Sequence, residues 1–188
     1  MEHGMIDLET FGTQEDSVIF QISVQAFDPL QVGRLGPSFN AFVDINSQPE
    51  RKIYPDTLKW WLGQDRTLLN NLIFAESKRT LDDSLKEMRQ FLKGNKIRHL
   101  WANSPSFDIM LIRHASRPYG KDTDLPIQFW KERDVRTIKS LVSITDDDID
   151  NELRFLGMEA DTKHDARDDV VRQILLVQLA YRQLGIKE

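Results

Sequence analysis

Short stretches in which apolar residues alternate with polar ones, or cluster between turn-forming residues, predict four strands. They lie at residues 4–10, 17–27, 38–45 and 97–102. The segment DPLQVGRLG, between the second and third strands, is rich in turn formers. We therefore expect these two strands to form an antiparallel hairpin.

Longer amphipathic stretches predict helices between and after the strands. The expected helices lie at about 56–63, 65–76, 80–93, 105–117, 134–142 and 166–184. Residues 46–56 carry two prolines and are expected to form a loop, as is the polar segment TDDDIDN. The order of elements predicts a single α/β domain over residues 1–188, with a central mixed sheet flanked by helices.

The composition is that of an ordinary folded domain, with 40% hydrophobic residues. The absence of cysteine excludes disulfides and zinc–thiolate sites and favours a reducing compartment, so we expect a cytoplasmic protein. No apolar run approaches the roughly 20 residues of a membrane span, and no signal peptide is visible, so no membrane partner is expected. The net charge of -5 argues against binding a polyanion by electrostatics alone, unless bound cations supply local positive charge.

Asp7 and Glu9 form the first candidate site. Residues two apart on a strand point to the same face, so both carboxylates can reach one cation. Ile6 and Leu8 alternate with them, which indicates that the opposite face is buried. The alternative is a solvent-facing pair at a strand end, since D-x-E alone is a common pattern. Gly12 follows, and its missing side chain lets the backbone approach a ligand closely.

Asp108 is the second candidate. Ser104 and Pro105 fit the cap and the first position of a helix, which places Asp108 about one turn into that helix. The helix directly follows the strand at 97–102, so Asp108 is expected near the carboxyl end of that strand, where α/β sheets bind ligands. The alternative is an acid placed favourably near the positive end of the helix dipole, and for Asp108 taken alone this reading is the stronger.

His164 and Asp169 form the third candidate. Inside one helix they would point about 140° apart, which is too far for a shared site. If His164 precedes the helix and Asp165 caps it, Asp169 lies one turn in, and both can face one cleft. The apolar stripe centres on Val170, and Asp169 lies about 100° from that centre, whereas Asp168 lies about 160° away and should be solvated. We therefore choose Asp169; the alternative for His164 is a surface histidine near a helix start.

These segments resemble the three motifs of the DnaQ-like 3′–5′ exonucleases of the DEDDh class. DLETFG is similar to the first motif, SPSFD to the second and HDARDD to the third. The histidine precedes the last aspartate by five positions, whereas the tyrosine class needs a tyrosine where this chain has Asp165. The stretches DINSQPERKIYPDTLKWWLGQ and FWKERDVRT resemble RNase T-like 3′ exoribonucleases and phage exonuclease A proteins.

The resemblance implies a ribonuclease H-like fold and a hydrolase that uses two Mg²⁺ or Mn²⁺ ions. Asp7, Glu9, Asp108 and Asp169 would hold the ions, since hard cations suit oxygen ligands. One ion would activate a water molecule and the other would stabilise the leaving 3′ oxygen. His164 would be the general base, because histidine titrates near neutrality. The products would be nucleoside 5′-monophosphates.

Further residues are candidates for contacts with the substrate. Thr10, Phe11 and Gly12 follow the first motif, where the family contacts the terminal nucleotide. Phe11 can stack on a base or belong to the core. Adjacent tryptophans on a helix point about 100° apart, so one is expected in the core and the other at the cleft. We assign the cleft position to Trp61.

Basic residues near the motifs are candidates for phosphate contacts, although a solvated surface is the stronger reading for each. Arg136 is the one we assign to the substrate, and Arg133 and Lys139 are expected on the same helical side. Lys163 and Arg167 flank the third motif. Asp134 is expected to cap the helix that starts beside it.

We thus expect an enzyme that trims single-stranded nucleic acid from the 3′ end. RNA is favoured over DNA by the RNase T-like resemblance, and a DNA exonuclease of the phage type is the first alternative. The second alternative is a non-catalytic module that binds nucleic acid or a polymerase. The resemblance also implies a homodimer, to which residues 118–160 could contribute.

Overall fold

A six-stranded mixed sheet organises the computed structural model, which describes residues 1–160 and 162–187. The strands are β1 (His3–Thr10), β2 (Ile19–Phe27), β3 (Leu35–Val43), β4 (Lys78–Arg79), β5 (His99–Ala102) and β6 (Glu132–Asp134). Their order across the sheet is β4-β3-β2-β1-β5-β6. The first three strands pair antiparallel, with the expected β2–β3 hairpin, and the remaining pairs are parallel.

Helices cover both faces of the sheet, which confirms the α/β architecture predicted from the sequence. They are α1 (Pro55–Leu62), α2 (Arg66–Ile73), α3 (Leu81–Gly94), α4 (Asp108–Ser116), α5 (Val135–Lys139), α6 (Asp146–Leu156) and α7 (Ala166–Gln183). Across the two described segments, no helix is both long and apolar enough to cross a bilayer.

The core lies on the two faces of β1 and β2, and β2 is buried along its whole length. Ile6 and Leu8 of β1 pack with residues of α3 and α4 on one face. Met5 and the buried Trp101 pack with α6 and α7 on the other. A third cluster lies beneath α1 and α2. Because Asp7 and Glu9 alternate with Ile6 and Leu8, they are on the face covered by α7.

The polar segment TDDDIDN begins a helix, so its assignment to an exposed loop was wrong. Thr145 and Asp148 form a reciprocal capping box at the start of α6. Acidic residues in the first turn also interact favourably with the helix dipole. Ile149 and Leu153, one turn apart, are buried against α7. The acids are therefore the start signal of an amphipathic helix.

Helix α4 begins at Asp108, three residues later than predicted. Residues 104–107 form a turn in which the carbonyl oxygen of Ser104 accepts hydrogen bonds from the backbone N–H groups of Phe107 and Asp108. Asp108 is therefore the first helical residue and does not lie one turn inside the helix.

Candidate active site

A crevice opens where β1 extends beyond β5. The two parallel strands pair only over residues 3–5 and 99–101, and β5 ends at Ala102. Residues 7–10 of β1 thus form one wall of an opening at the carboxyl ends of these strands. Open α/β sheets bind their ligands at such positions.

Three carboxylates converge in this crevice. One oxygen each from Asp7, Glu9 and Asp169 lies within 4.8 Å of the others. Asp7 and Glu9 project from β1 towards α7, which contributes Asp169. Glu9 is only 7% exposed. Oxygen ligands at this spacing are a donor set that hard divalent cations prefer.

Asp108 lies beside this group but is not one of the three. Its Oδ1 accepts a hydrogen bond of 3.2 Å from the backbone N–H of Leu8, between Asp7 and Glu9 in sequence. The carboxylate is buried, with 2% exposure, at the amino end of α4. The start of α4 therefore brings Asp108 against the same stretch of β1.

The electrostatics of the site oppose ionisation of these acids in the absence of a cation. Burial, reinforced by Asp108 and Asp169, raises the pKa of Asp7 well above its usual range. Burial and the nearby Asp7 do the same to the pKa of Glu9. Burial also raises the pKa of Asp108 to about 8 and raises the pKa of Asp169. A bound divalent cation would offset both the burial of these carboxylates and the repulsion between them, so the residues present fit a metal centre.

His164 lies in the turn before α7, in a left-handed conformation with φ of 66°. Its backbone N–H donates to Asp169 Oδ2 at 3.2 Å. Asp165 caps α7 by accepting from the N–H of Arg167, and its side chain also accepts from Gln21. The structure thus has the arrangement inferred from helical geometry, with the histidine before the helix and Asp169 one turn inside it.

The negative charge of the capping residue, Asp165, is stabilised by hydrogen bonds within the protein. Although burial acts in the opposite direction, hydrogen bonds from Arg167 and Gln21 hold the pKa of Asp165 below its usual range. Asp165 is therefore occupied by structural bonds, which separates it from Asp169.

Two cavities flank the carboxylates. The first, which we call the polar cleft, measures about 300 Å³. Its lining includes Asp7, Asn103, Lys139, His164, Asp169 and Gln173. The second, the aromatic pocket, measures about 450 Å³. Its lining includes Leu8, Glu9, Thr10, Gly12, Trp60, Trp61 and Phe107. Asp7 and Glu9 thus face different cavities from a single strand.

Phe11 lies in the core, which is one of the two positions that the sequence left open for it. It is 3% exposed, and its ring lies 4.7 Å from that of Phe20. Thr10 does line the aromatic pocket, but its hydroxyl donates to the carbonyl of Gly12 at 2.7 Å.

The two tryptophans both line the aromatic pocket but differ in exposure. Trp61 is 1% exposed, and its indole N–H donates to the carbonyl oxygen of Thr10 at 2.9 Å. Trp60 is 44% exposed, and its ring meets that of His164 edge to face, with centroids 4.8 Å apart. Trp60, and not Trp61, therefore offers an exposed ring next to the histidine.

Gly12 is required by packing within the protein. A Cβ at this position would lie 2.3 Å from the ring of Tyr54 and 2.4 Å from Ser17 Oγ. Gly12 also lines the aromatic pocket. The absence of a side chain therefore lets Tyr54 close the turn after β1, which the interpretation based on ligand approach did not anticipate.

The basic residues are placed differently from one another. Arg136 is exposed on α5, close enough to Asp108 to oppose the rise of its pKa. Lys139 lines the polar cleft. Arg133 lies on β6, not on the helix, and donates to nearby carbonyl oxygens. Arg167 forms an ion pair with Asp165. Lys163 lies in the exposed turn before His164.

Sequence reasoning missed Gln173, whose side-chain amide donates to Asp7 Oδ1 at 2.8 Å. It follows Asp169 by four positions on α7, so the same helical periodicity that selected Asp169 could have found it. Asp134 caps α5 as predicted, by accepting from the N–H of Arg136.

The model of a family described as "3′-5′ exoribonuclease Rv2179c-like domain" matches residues 2–180. The exodeoxyribonuclease of Enterobacteria phage T4 is 24% identical over 209 aligned positions, which cover 98% of this chain and 91% of that protein.

Solved exonuclease structures share the fold. The zinc-bound E. coli ExoI–ssDNA complex superposes with a TM-score of 0.64 at 13% identity, over 98% of this chain and 41% of that one. This chain thus spans about two fifths of that longer protein. Exonuclease X in complex with 5′ overhanging duplex DNA gives 0.56 at 14% identity, over 98% and 94% of the two chains. The nuclease domain of 3′hExo, a DEDDh family member bound to rAMP, gives 0.58 at 14% identity, over 97% and 92%.

Proposed function

Because the chain belongs to the family of Rv2179c-like 3′–5′ exoribonuclease domains, within the DnaQ-like exonucleases, we propose that it shortens single-stranded RNA from the 3′ end. The products are nucleoside 5′-monophosphates. The observation that carries this proposal is the convergence of Asp7, Glu9 and Asp169 within 4.8 Å, beside His164. A module that only binds nucleic acid has no need for buried carboxylates that repel one another and the polyanion.

Two divalent cations, Mg²⁺ or Mn²⁺, are the proposed cofactors. Asp7, Glu9 and Asp169 would hold them, with Asp108 as a fourth ligand next to the group. All four offer oxygen, which favours hard cations. Bound cations would supply Lewis-acid stabilisation of the negative charge that develops on the phosphate and the leaving oxygen.

His164 is the proposed general base. It lines the polar cleft with Asp7 and Asp169. The hydrogen bond from its backbone N–H to Asp169 fixes the backbone position from which the imidazole ring extends. The ring accepts a proton from the water that attacks the terminal phosphodiester. The bond between phosphorus and the 3′ oxygen then breaks, and this oxygen takes up a proton from solvent, so the shortened strand ends in a new 3′ hydroxyl.

The aromatic pocket is the proposed site of the terminal nucleoside. Its exposed aromatic ring, Trp60, offers a face or edge of about the size of a base, and stacking is tolerant of base identity. Thr10 and Gly12 line the same cavity, next to Glu9. A terminal nucleoside bound in this pocket would place the scissile phosphate next to the carboxylates.

The identity of the sugar is the point on which the comparisons divide. The family description supports RNA. The phage T4 relative, named an exodeoxyribonuclease, supports single-stranded DNA as the second candidate. Discrimination requires a contact to the 2′-hydroxyl. We keep RNA as the primary proposal, in a protein that acts in the cytoplasm as a homodimer.

The test compares RNA and DNA oligonucleotides of one sequence, labelled at the 5′ end, with Mg²⁺, with Mn²⁺ and with EDTA. We expect a ladder that shortens from the 3′ end only when a divalent cation is present, and faster with RNA. His164→Ala and Asp169→Asn should each remove most of the activity. A chain that binds the oligonucleotide but leaves it intact under all conditions would refute the proposal, and faster cleavage of DNA would favour the second candidate.

A further inference from the structure

Gln173 connects the two elements that carry the clustered acids. It lies on α7, one turn after Asp169, and lines the polar cleft together with Asp7 and His164. Its Nε2 donates a hydrogen bond of 2.8 Å to Asp7 Oδ1 on β1. The bond therefore joins a strand and a helix at the point where their carboxylates meet.

The orientation of the Gln173 amide is dictated by this bond. An ionised carboxylate oxygen only accepts, so in the ionised, cation-binding form of the site the amide nitrogen faces Asp7 and the carbonyl oxygen points elsewhere. That Oε1 atom is buried, and the described part of the chain gives it no hydrogen-bond partner. An unpaired buried acceptor is unfavourable unless a ligand brings a donor. The cleft thus has an unused acceptor next to the acids.

We propose that Gln173 is a positioning residue of the metal centre, which holds the Asp7 carboxylate where it meets Glu9 and Asp169. The inference rests on the proposed function, because it assigns Gln173 to the same site. Residues that hydrogen-bond to metal ligands restrict the ligand's rotamers, and their loss commonly weakens metal binding by about 10–100-fold. Gln173 needs no contact with the substrate in this role.

The competing explanation is that the bond only fastens α7 to β1. These elements already pack through Met5, Val170 and Ile174 in one buried cluster. A fastening bond would change the stability of the fold and leave the affinity for cations as it is. A positioning bond would change the affinity even in a fully folded variant.

Calorimetric titration with Mn²⁺ separates the two explanations without relying on activity. Gln173→Met keeps the length of the side chain, and Gln173→Leu keeps its bulk, but neither can donate to Asp7. We expect both variants to bind Mn²⁺ about 10–100-fold more weakly than the wild type. At saturating Mn²⁺ we also expect a lower kcat for an RNA oligonucleotide and an unchanged KM.

Gln178→Met is the matched control. Gln178 is also on α7, is 1% exposed, and bonds the backbone at Asp28 and Gly33, which do not line either cavity of the site. This variant should lose thermal stability and keep its affinity for Mn²⁺.

Three results would overturn the proposal. The first is wild-type affinity for Mn²⁺ in folded Gln173 variants, as judged by circular dichroism. The second is an equal loss of affinity in Gln178→Met, and the third is unfolding of both Gln173 variants, which would make the bond structural. Failure of the proposed function is distinguishable, because a wild-type chain that binds Mn²⁺ but cleaves no oligonucleotide would contradict that function and leave the Gln173 result standing.

Discussion

Trp60 is an exposed residue whose contact bears on the proposed chemistry. Its ring lies 4.8 Å from that of His164, and it is 44% exposed. Removing the ring frees the histidine without opening a hole in the core. We predict that Trp60→Ala lowers kcat/KM about 10–100-fold, because small displacements of a catalytic group are costly. The melting temperature should change little, and steady-state kinetics with thermal unfolding would measure both quantities.

Leu62→Ala is the control for this prediction. Leu62 is 58% exposed on the same helix and lines neither cavity, so its removal should leave kcat/KM unchanged. Trp60→Phe keeps a ring and should recover part of the activity. A Trp60→Ala enzyme with wild-type kinetics would show that the contact does not restrain His164.

Gly12 allows a prediction about stability. Because a Cβ would lie 2.3 Å from Tyr54, Gly12→Ala must displace the tyrosine ring or the turn. Overpacking of this kind costs about 1–3 kcal/mol, so we expect a lower free energy of unfolding. Gly94→Ala is the matched control, since nothing lies within 4 Å of a Cβ there. It should be stabilising by about 0.4–1 kcal/mol, because alanine restricts the unfolded chain. Denaturant unfolding measures the free energy of unfolding of both variants. Equal changes in Gly12→Ala and Gly94→Ala would contradict the proposed clash with Tyr54.

At the residue scale, spacing identified the acids better than the aromatic residues. Two-residue and helical periods fix directions within one element, so Asp7 could be paired with Glu9 and Asp169 with His164, whereas a site shared by both elements was implied only by the family resemblance. Periodicity gives the angle between neighbouring side chains but not which of them faces the core. The sequence therefore could not reveal that Phe11 and Trp61 are buried while Trp60 is exposed.

At the element scale, the contact between β1 and α7 concentrates negative charge. Neutralising one acid removes repulsion that the wild-type site otherwise relieves only by binding a cation or by taking up protons. We predict that Asp7→Asn raises the stability of the cation-free protein by about 1–2 kcal/mol, or roughly 2–8 °C in melting temperature. The same variant should lose most hydrolytic activity. Its amide oxygen can still accept from Gln173.

Thermal unfolding in EDTA and in Mg²⁺ measures this effect. The wild type should gain stability with Mg²⁺, by roughly 2.7 kcal/mol at a concentration 100 times the dissociation constant, and Asp7→Asn should gain much less. An Asp7→Asn protein that is less stable than the wild type in EDTA would contradict the repulsion argument.

Two histidines, His3 and His99, lie at the amino ends of β1 and β5, away from the crevice. They make the stability of the fold depend on pH. The indole N–H of Trp101 donates to His3 Nδ1 at 2.9 Å, so this nitrogen must be unprotonated in the folded state. Burial, together with His99 and Arg133, lowers the pKa of His3 to about 4. The unfolded chain takes up this proton near the ordinary value of about 6.5. The stabilising contribution is therefore complete above pH 6.5 and is lost as the pH falls towards 4.

We predict that acidification across this window lowers the free energy of unfolding by about 1–2 kcal/mol through His3, after allowance for its partial exposure. His3→Gln keeps a hydrogen-bond acceptor but does not titrate. The difference in the free energy of unfolding between wild type and variant, measured with denaturant at pH 7.5, 5.5 and 4.5, separates the contribution of His3 from those of the other titratable groups. Parallel curves for the two proteins would exclude the effect.

Elements were predictable where they carry their own start and stop signals. Helix α7 has a cap at Asp165 and a continuous apolar stripe, and its bounds were found within about one residue. Strands β4 and β6 have two and three residues, and they are defined by pairing with neighbours that are distant in sequence. No local pattern can reveal them. Helix α6 was missed because its capping acids were counted as loop residues.

The whole molecule is acidic, with 30 Asp and Glu residues against 25 Lys and Arg. An acidic chain that acts on a polyanion must offset long-range repulsion at the site itself. Clustered carboxylates with bound cations do so locally, because each divalent cation can become the largest charge in the crevice. Two basic residues, Arg136 and Lys139, lie on α5 at the same end of the sheet. The charge pattern therefore predicts few phosphate contacts.

Salt dependence measures the number of such contacts. For single strands, each neutralised phosphate contributes a slope of about -0.7 to the plot of log affinity against log salt concentration. We expect a slope of about -0.7 to -1.4 for an RNA oligonucleotide, which corresponds to one or two phosphates. Arg136→Ala should reduce it by about 0.7 if this residue contacts a phosphate. Arg98→Ala should not change it, because Arg98 pairs with Glu2 at the amino end of β5, opposite the crevice. A steep slope that both variants leave unchanged would mean that the strand is held by a surface other than α5.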